Sequence, residues 1–430
     1  MTRLVLHYTV LLLTLLGLHG CATNPVTGKN QFMLISESQE RQLGAEQYGP
    51  TIQSQGGEYY LDPDLKIYVR QVGEKLAGAS DQPDLPYEFV IINSSIPNAW
   101  ALPSGKIAIN RGLLTEMQDE AQLAAVLSHE IVHAAARHSA QRLQQGLILN
   151  AGLAGLGIMV ADNDLRDIIL GGAALGATLT VAKYGRGHEL ESDTYGMEYM
   201  ARAGYDPQAA VELQEIFVKL AGDRESSWFD GLFASHPPSQ ERVARNREKA
   251  QQLGTSARFR GKTEYARATA ALRKRTPAYQ AYDEGVKALS AGNSQAALSQ
   301  AEKAISLEPQ EAMFYALRGD VHQALGDEKK AMADYNRAVE LYPEHYAYLL
   351  KRGTARQQQG LNELALQDLE RSAKLLPTSI AYYAMGEAAL GLNAPEQALQ
   401  YFQIAGEGGG ETGQKARERA QSLARRLSQP

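Results

Sequence analysis

The sequence of 430 residues lacks three features: a second cysteine, an excess of basic residues, and a high hydrophobic content. With Cys21 as the single cysteine, no intramolecular disulfide can form. The net charge of −6 argues against a nucleic-acid-binding protein, which normally carries a basic excess. Hydrophobic residues at 44% and charged residues at 21% are ordinary for a soluble globular protein. They argue against a polytopic membrane protein and a largely disordered chain, and the length favours two or three domains.

The first twenty residues have the layout of a secretory signal. Arg3 precedes the apolar run Leu4–Leu16, and small residues follow before Cys21. The run is shorter than the roughly 20 residues of a transmembrane helix, which favours a cleaved signal over a membrane anchor. Leu18-His19-Gly20-Cys21 resembles a bacterial lipoprotein lipobox. That resemblance implies lipidation of Cys21, and Ala22 after it is typical of lipoproteins of the Gram-negative outer membrane.

Residue patterns predict a mainly α-helical chain with a small β-sheet in its first half. The predicted helices run from Ser36 onward, over Asp64–Ala77 and over Asp119–His138, where Asp119 and Gln122 are expected to form a capping pair. The predicted strands are Tyr87–Ile92 and Lys106–Asn110, with the turn-rich segment Pro97–Gly105 between them. Asn24–Lys29 is expected to be a polar tether.

Two apolar stretches rich in glycine and alanine, Gly146–Ala161 and Ile168–Ala182, follow the third predicted helix. Each is too short to span a bilayer comfortably, because a spanning helix needs about 20 apolar residues. We interpret them as two closely packed or flexible helices beside the candidate site. A mobile flap that faces the membrane or the substrate is the alternative.

The C-terminal third repeats with a period of 34 residues. The columns in phase are Pro309, Pro343 and Pro377; Gly285, Gly319 and Gly353; Gly292, Gly326 and Gly360; and Ala297, Ala331 and Ala365. This period is typical of tetratricopeptide repeats, in which each unit is a helical hairpin. A fourth copy, one residue short, has Gly386, Ala398 and Phe402. Four such hairpins form an all-α solenoid with a concave groove suited to protein partners.

The motif His129-Glu130-Ile131-Val132-His133 lies in the middle of the third predicted helix. Histidines four residues apart lie on one face of a helix, so both imidazoles can bind one zinc ion, with Glu130 next to the bound water. The alternative is a pair of solvated histidines. His138, five residues after His133, is expected to point elsewhere and to lie at the surface.

A second acidic segment, Glu189-Leu190-Glu191-Ser192-Asp193, begins 56 residues after His133. Glu189 and Asp193 share a helical face. A carboxylate as third ligand leaves the fourth zinc position open for water, so Glu189 is the candidate ligand and Glu191 its rival. Asp193 can then hold the free ring nitrogen of a ligand histidine.

The segments HEIVH, HELESD and Ser235-His236-Pro237-Pro238, with Arg242, resemble the zinc peptidase family that includes HtpX and the CAAX prenyl proteases. The resemblance covers roughly Asn30–Leu253 and implies a zincin-type metallopeptidase domain of helices with a small β-sheet. It implies that His129, His133 and Glu189 bind one Zn²⁺ per chain. It also implies that Glu130 is the base and that Asp193 contacts a ligand histidine. With the repeats added, the chain is similar to periplasmic members of this family that assist β-barrel assembly.

The resemblance also implies a role for His236, although its residue type and flanking prolines alone indicate a loop histidine at the surface. As a candidate catalytic residue it either occupies the open zinc position as a lock or donates to the oxyanion of the transition state. The edge-strand segment of the family corresponds to Asn98–Asn110. The implied substrate-binding residues are Asn98, Ala99, Trp100, Ile107, Ala108 and Ile109, and an extended substrate is expected to pair with Lys106–Asn110.

These observations predict a zinc-dependent endopeptidase of the bacterial cell envelope that cleaves unfolded or misassembled envelope proteins. The resemblance implies a periplasmic location with an outer-membrane lipid anchor, and repeats that recruit the outer-membrane assembly machinery; no nucleic acid is expected as a partner. The alternative is a chaperone or adaptor in which the repeats do the work and the peptidase site is latent.

The predicted organisation has five parts, which follow from these motifs. They are a signal peptide (1–20), a metallopeptidase domain (21–255), a helical connector (256–277), four tetratricopeptide repeats (278–410) and a basic C-terminal tail (411–430). The tail is expected to form a helix that caps the last repeat.

Overall fold

The computed structural model describes residues 21–145, 184–222, 235–254 and 258–428. The predicted signal peptide and both glycine- and alanine-rich stretches lie outside these described residues. The described residues divide into two units: one takes in residues 21–48, 63–145 and 184–269, and the other takes in residues 49–62 and 270–428. No helix among the described residues has the length and apolar character that crossing a bilayer requires.

The first unit is mainly helical, as predicted, with two small sheets. Its strands are β1 (Cys21–Thr23), β2 (Asn30–Phe32), β3 (Glu88–Ile92), β4 (Ala99–Leu102) and β5 (Lys106–Asn110). Its helices are α1 (Glu37–Ser54, which continues into the second unit), α2 (Pro63–Gly78), α3 (Arg111–Glu116), α4 (Glu120–Ala135), α5 (Arg186–Arg202), α6 (Gln208–Gly222), α7 (Gln240–Leu253) and α8 (Lys262–Ala268). A 3₁₀ turn at Pro103–Gly105 and a helical segment at 138–145 complete it.

The larger sheet has three strands in the order β3, β5, β4. β5 pairs in parallel with β3, with Ile107 opposite Phe89, and antiparallel with β4, with Ala108 opposite Trp100. β5 is therefore the central strand. The expectation that an extended substrate pairs with Lys106–Asn110 is wrong, because β3 and β4 already use the hydrogen-bonding groups on both of its edges. β4, in contrast, is an edge strand of this sheet.

The segment Asn24–Lys29 is a hairpin turn between β1 and β2 and not the tether that its polarity suggested. The backbone N–H of Asn24 donates to the Lys29 carbonyl at 2.8 Å. The Asn24 side-chain oxygen accepts from the N–H groups of Val26 and Thr27 at 2.9 and 3.2 Å. Asparagine favours such turns because its side chain satisfies the backbone two residues on.

The second unit consists of helical hairpins. Its helices are α9 (Ala270–Ser290), α10 (Ser294–Leu307), α11 (Ala312–Ala324), α12 (Glu328–Leu341), α13 (Tyr346–Gln358), α14 (Asn362–Leu375), α15 (Ser379–Gly391), α16 (Pro395–Glu407) and α17 (Gly410–Leu427). Successive pairs from α9 to α16 pack as four hairpins, and α17 packs against α16. Because α9 begins at residue 270, the first repeat helix includes the last part of the predicted connector 256–277.

The repeating glycine column marks the closest approach of the two helices within a hairpin. A Cβ at Gly319 would lie 2.5 Å from the ring of Tyr335, and one at Gly353 would lie 2.8 Å from Leu369. Both distances are shorter than real contacts allow, so only glycine fits. An arginine ladder has the same 34-residue period: Arg352 donates from Nε and Nη2 to the carboxylate of Asp368 at 2.7 Å, and the corresponding pair one repeat earlier is Arg318 and Asp334.

Candidate active site

The HEIVH motif lies on α4, which is held in the core of the first unit. The Asp119 side chain accepts from the Gln122 N–H at 2.9 Å at the start of α4, which confirms the predicted capping pair. Nearly every residue of α4 is buried, because α2, α5 and α6 pack around it. A helix that is apolar on all sides needs such burial. The surrounding helices therefore hold the backbone of the two motif histidines in place.

Four side chains from α4, α5 and the segment before α7 converge on one point. His129 Nε2 lies 3.1 Å from His133 Nε2, and the Glu189 carboxylate lies 3.5 and 3.3 Å from these two nitrogens. His236 Nδ1 lies 3.0 Å from Glu189 Oε1 and 3.3 Å from His129 Nε2. One ligand atom from each of the four lies within 4.8 Å of the others. Ligands that each lie about 2.1 Å from one zinc ion would be spaced on this scale.

Asp193 lies one turn after Glu189 on α5 and supports a histidine from behind. Its Oδ1 lies 3.0 Å from His129 Nδ1, so the expected contact with a motif histidine is present. Arg242 on α7 donates from Nε and Nη2 to both oxygens of Asp193 at 2.7 Å, and its Nη1 lies 2.8 Å from Glu189 Oε2. The buried guanidinium therefore compensates the charge of both carboxylates. No sequence pattern had indicated this function for Arg242.

Glu130 and His236 face the same cavity beside the converging ligand atoms. Glu130 is buried, and its Oε1 lies 3.6 Å from His236 Nε2. Among the described residues, neither Glu130 Oε2 nor His236 Nε2 has a hydrogen-bond partner. Burying a polar atom without a partner is costly, so both atoms are available to water or to a reacting group. The structure thus places His236 in the site, and the loop position at the surface that residue type alone indicated is wrong.

The electrostatics of the cluster favour a positive charge at its centre. Burial lowers the pKa of His129, but hydrogen bonds to Asp193 and Glu189 outweigh burial and raise this pKa to about 10. Burial raises the pKa of Glu189, but His236 and His129 outweigh it, so the net pKa is well below the usual range. Burial holds the pKa of His133 well below its ordinary value. Burial also raises the pKa of Glu130, as a proton-transferring carboxylate requires.

The residues fit a metal ion. When His129 and His133 are neutral and donate from their outer Nδ1 atoms, their Nε2 lone pairs face each other at 3.1 Å. Two lone pairs at that separation repel, and a cation between them removes the repulsion. Two imidazole nitrogens and one carboxylate oxygen are also the donor set of zinc enzymes that keep a further position open.

His138 does not lie at the surface, so that expectation is wrong. α4 ends at Ala135, and the left-handed conformation of Arg137 (φ 63°) turns the chain back. Arg137 is held there by Glu40, at 2.6 Å from its Nε, and by the carbonyl of Ile35, at 2.8 Å from its Nη2. As a result His138 is fully buried, and its Nδ1 lies 3.0 Å from His133 Nδ1.

Glu191 does not belong to the converging ligands, although it was the rival candidate. Its Oε1 lies 3.2 Å from His138 Nε2 and accepts from Asn24 Nδ2 at 3.2 Å. Tyr184 is a further neighbour that sequence patterns missed: its ring stacks on His133 with centroids 3.8 Å apart, and its hydroxyl lies 2.9 Å from Ser139 Oγ. An isolated tyrosine carries no spacing signal that would have identified it.

A cavity opens beside the cluster. Its polar wall includes Glu130, His129 and His236, and apolar side chains form another part of the lining: Leu113, Val126, Met197, Met200, Leu213 and Phe217. Ala99, the first residue of β4, also lines it. The edge strand β4 therefore borders the same space as the histidines.

The six predicted substrate-binding residues fall into two groups. Asn98 comes directly before the edge strand β4, Ala99 and Trp100 are its first two residues, and Ala99 reaches the cavity. Ile107, Ala108 and Ile109 lie in the central strand β5, which pairs with β3 on one edge and with β4 on the other. The backbone of the second group is therefore not available for pairing with a substrate strand.

An HExxH helix followed by a helix with a glutamate ligand defines a metallopeptidase-type centre. Residues 63–250 match peptidase family M48, and residues 282–346 and 350–411 match the tetratricopeptide repeat. The chain therefore carries a peptidase family M48 domain followed by tetratricopeptide repeats.

Two relatives and one solved structure illustrate these similarities. The Beta-barrel assembly-enhancing protease of Escherichia coli K12 is 27% identical over 215 residues, which are 46% of this chain and 44% of that protein. The Mitochondrial metalloendopeptidase OMA1 of Arabidopsis thaliana is 32% identical over 166 residues, which are 39% of this chain and 32% of that protein. The match thus spans less than half of each relative. A crystal structure of the MamA protein is 19% identical and matches 34% of this chain and 79% of its own chain, with a TM-score of 0.29.

Proposed function

We propose that this chain is a zinc-dependent endopeptidase of the bacterial cell envelope that hydrolyses peptide bonds of unfolded or misassembled envelope proteins. The observation that carries the proposal is the convergence of His129, His133 and Glu189 on one point, with Glu130 available in the same cavity. The match to peptidase family M48 supports it. Zinc bound here would supply Lewis-acid chemistry, polarising the scissile carbonyl and easing ionisation of the attacking water.

Glu130 is the proposed general base. Its raised pKa and its free Oε2 suit a carboxylate that accepts a proton from the attacking water and then delivers it to the leaving amine. Arg242 and Asp193 keep His129 oriented during this transfer, because the two side chains hold each other and Asp193 contacts the outer ring nitrogen. In this proposal Glu130 moves one proton, and Asp193 and Arg242 keep His129 in its orientation.

His236 is proposed to hold the enzyme latent by serving as a fourth ligand. Its Nδ1 lies among the other ligand atoms, at 3.0 Å from Glu189 Oε1. A neutral imidazole there would take the position that the attacking water needs. A movement of the loop before α7 would then open the site. The competing proposal is that His236 Nε2, which lies 3.6 Å from Glu130 Oε1, donates to the oxyanion of the transition state.

An extended substrate is proposed to pair with the edge strand β4. Ala99 borders the cavity beside His129 and Glu130, so a strand laid along Asn98–Trp100 would bring its backbone to the reacting groups. Backbone pairing reads little sequence, which suits cleavage of unfolded chains. Ala101 is less suitable, because its carbonyl already accepts from Ser139 Oγ at 3.2 Å.

The repeats and the N-terminus are proposed to place the enzyme near its substrates. Tetratricopeptide repeats bind proteins, and we propose the outer-membrane assembly machinery as the partner, since a relative carries the name Beta-barrel assembly-enhancing protease. Lipidation of Cys21 would anchor the chain to the outer membrane from the periplasm. Cys21→Ser should then move the protein from the membrane fraction to the soluble periplasmic fraction, and a variant that stays in the membrane pellet after carbonate washing would remove this anchor from the proposal.

A direct test is cleavage of an unfolded protein by the purified chain. Cleavage should require zinc, stop with a chelator, and return when zinc is added back. Identification of the bound ion by anomalous scattering would establish the metal. If the zinc-loaded chain and its His236→Ala variant both leave an unfolded protein intact, the peptidase proposal fails.

The second candidate function is a chaperone or adaptor for outer-membrane assembly that works through the repeats while the peptidase site is latent. The position of His236 among the ligand atoms favours this alternative, because a fourth protein ligand would close the site to the attacking water. An experiment in cells distinguishes the two functions. If a Glu130→Gln protein supports outer-membrane assembly as well as wild type does, the adaptor function is indicated.

A further inference from the structure

A chain of four polar side chains leads from the candidate metal ligand His133 to the N-terminal hairpin. His133 Nδ1 lies 3.0 Å from His138 Nδ1, and His138 Nε2 lies 3.2 Å from Glu191 Oε1. Asn24 Nδ2 donates to the same Glu191 oxygen at 3.2 Å. His133 and His138 are fully buried, and Asn24 is 5% exposed. The Glu191 side chain between His138 and Asn24 is 23% exposed, so the chain runs from the buried cluster to a partly exposed carboxylate beside the β1–β2 turn.

The hydrogen positions along this chain follow from its two ends. Asn24 Oδ1 accepts from the N–H groups of Val26 and Thr27, so the amide orientation is set and its Nδ2 donates to Glu191. The Glu191 carboxylate can only accept, so His138 Nε2 carries the hydrogen. When Nε2 carries the one ring hydrogen of His138, its Nδ1 has a lone pair, and the hydrogen between the two Nδ1 atoms belongs to His133.

This assignment leaves His133 Nε2 with its lone pair directed at His129 Nε2, 3.1 Å away, which is the centre of the cluster. A histidine binds a metal through a deprotonated ring nitrogen, and the tautomer is set by the partner of the other nitrogen. The hydrogen bonds of the chain thus select the one neutral tautomer of His133 that can bind a metal.

We propose that His138, with Glu191 and Asn24 behind it, is the positioning residue that fixes the tautomer and ring orientation of His133 for metal binding. His129 is held by the carboxylate of Asp193, whereas His133 is held by the imidazole of His138. The two candidate ligand histidines therefore have supports of different chemistry. The proposal rests on the proposed function only in that the cluster binds zinc.

The backbone conformation of Arg137 is what brings His138 next to His133. Arg137 adopts φ 63°, a conformation that residues with a side chain rarely adopt, and ion pairing with Glu40 holds it there. A continued helix would carry residue 138 away from His133, because five residues correspond to about 1.4 turns. The left-handed conformation of Arg137 instead brings His138 back into contact with the candidate ligand His133. Ring stacking of His138 on His188, with centroids 4.2 Å apart, holds its plane.

The test is zinc affinity, measured by competition with a chelator of known affinity, and it requires no turnover. His138→Phe keeps a ring but cannot accept the hydrogen of His133 Nδ1, so the affinity should fall about 10- to 100-fold. His138→Asn places an amide oxygen near the position of Nδ1 and should restore most of that loss. His322→Phe, at a buried histidine in the repeats, is the matched control and should leave the affinity unchanged.

A spectroscopic measurement distinguishes positioning from general packing. In the Co²⁺-loaded protein, His138→Phe should alter the visible absorption bands of the metal, and His138→Asn should return them toward wild type. Equal affinity and equal spectra for wild type and His138→Phe would overturn the proposal. So would an equal loss in both variants, since that result indicates packing and not a hydrogen bond.

Glu191 supplies a second test if the His138 variants do not fold. Its side chain is 23% exposed, so substitution there is better tolerated. Glu191→Leu removes the acceptor of His138 Nε2–H and should lower zinc affinity, whereas Glu191→Gln keeps an acceptor oxygen and should lower it less. Identical affinities for the two variants contradict the proposal. If wild type itself binds no zinc, the proposed function fails; if wild type binds zinc and these variants bind it equally well, only the positioning role fails.

Discussion

Arg242 holds Asp193 with two parallel hydrogen bonds, Nε to Oδ2 and Nη2 to Oδ1, both 2.7 Å long. Burial raises the pKa of Asp193, but Arg242 and His129 outweigh burial and lower this pKa to about 2. Asp193 therefore stays ionised, and its Oδ1 stays in contact with His129 Nδ1. The orientation of the candidate ligand His129 is thus supported, through Asp193, by an arginine that lies 49 residues after Asp193 in the chain.

Arg242→Gln should destabilise the first unit strongly. The substitution removes the buried guanidinium that contacts both Asp193 and Glu189, and breaking such a buried pair costs about 3–5 kcal/mol in the free energy of unfolding. Urea unfolding of the metal-free protein, followed by tryptophan fluorescence, reports on this unit because neither tryptophan lies in the repeats.

The control for Arg242→Gln lies on the same helix. Arg245 is 60% exposed and pairs with Glu241 at 3.2 Å, so Arg245→Gln should cost about 1 kcal/mol or less. Equal effects of the two substitutions would show that the buried pair does not stabilise the fold.

Glu130→Gln and Glu189→Gln should separate catalysis from metal binding. Glu189→Gln should lose most of the bound zinc, because it degrades one of three protein ligands. Glu130→Gln should keep about one zinc per chain and lose about 10²- to 10⁴-fold in turnover, the usual contribution of a general base. Elemental analysis and cleavage of an unfolded protein measure the two effects; equal zinc content in wild type and Glu189→Gln would remove Glu189 from the site.

The direction in which His236→Ala changes the cleavage rate should show which role His236 has. If His236 occupies the fourth ligand position as a lock, basal cleavage of an unfolded substrate or of the enzyme itself should rise. If His236 donates to the oxyanion, kcat should fall by about 10²-fold or more. The comparison is made at equal zinc content, and an unchanged rate contradicts both roles.

Gly353→Ala should destabilise the repeats. The added Cβ would lie 2.8 Å from Leu369 Cγ, so the helices of the third hairpin must separate, and overpacking of this kind costs about 1–3 kcal/mol. Urea unfolding followed by far-ultraviolet circular dichroism measures the cost. Gln358→Ala, at an exposed position of the same helix, should change stability by no more than about 0.5 kcal/mol, and an equal loss in both variants would contradict the close-packing argument.

Relationships within one helix were predictable because helical geometry alone determines them. His129 and His133 share a face at spacing four, and so do Glu189 and Asp193. The convergence of these two helices rested on resemblance and not on any local pattern. The 34-residue period was equally predictable, because each hairpin repeats the same contact between a glycine and a large side chain, as at Gly353 and Leu369.

The sequence by itself therefore determined the motif helix, the repeat architecture and the pairs His129–His133 and Glu189–Asp193, since each depends on spacing within a regular element. The tertiary structure alone decided that β5 is central and that His138 returns to His133. Strand order depends on which edges remain to be paired after the chain has folded. The position of His138 depends on the left-handed Arg137, which is held by Glu40 from almost one hundred residues earlier. Contacts at such separation follow from how the elements pack, and local periodicity does not encode them.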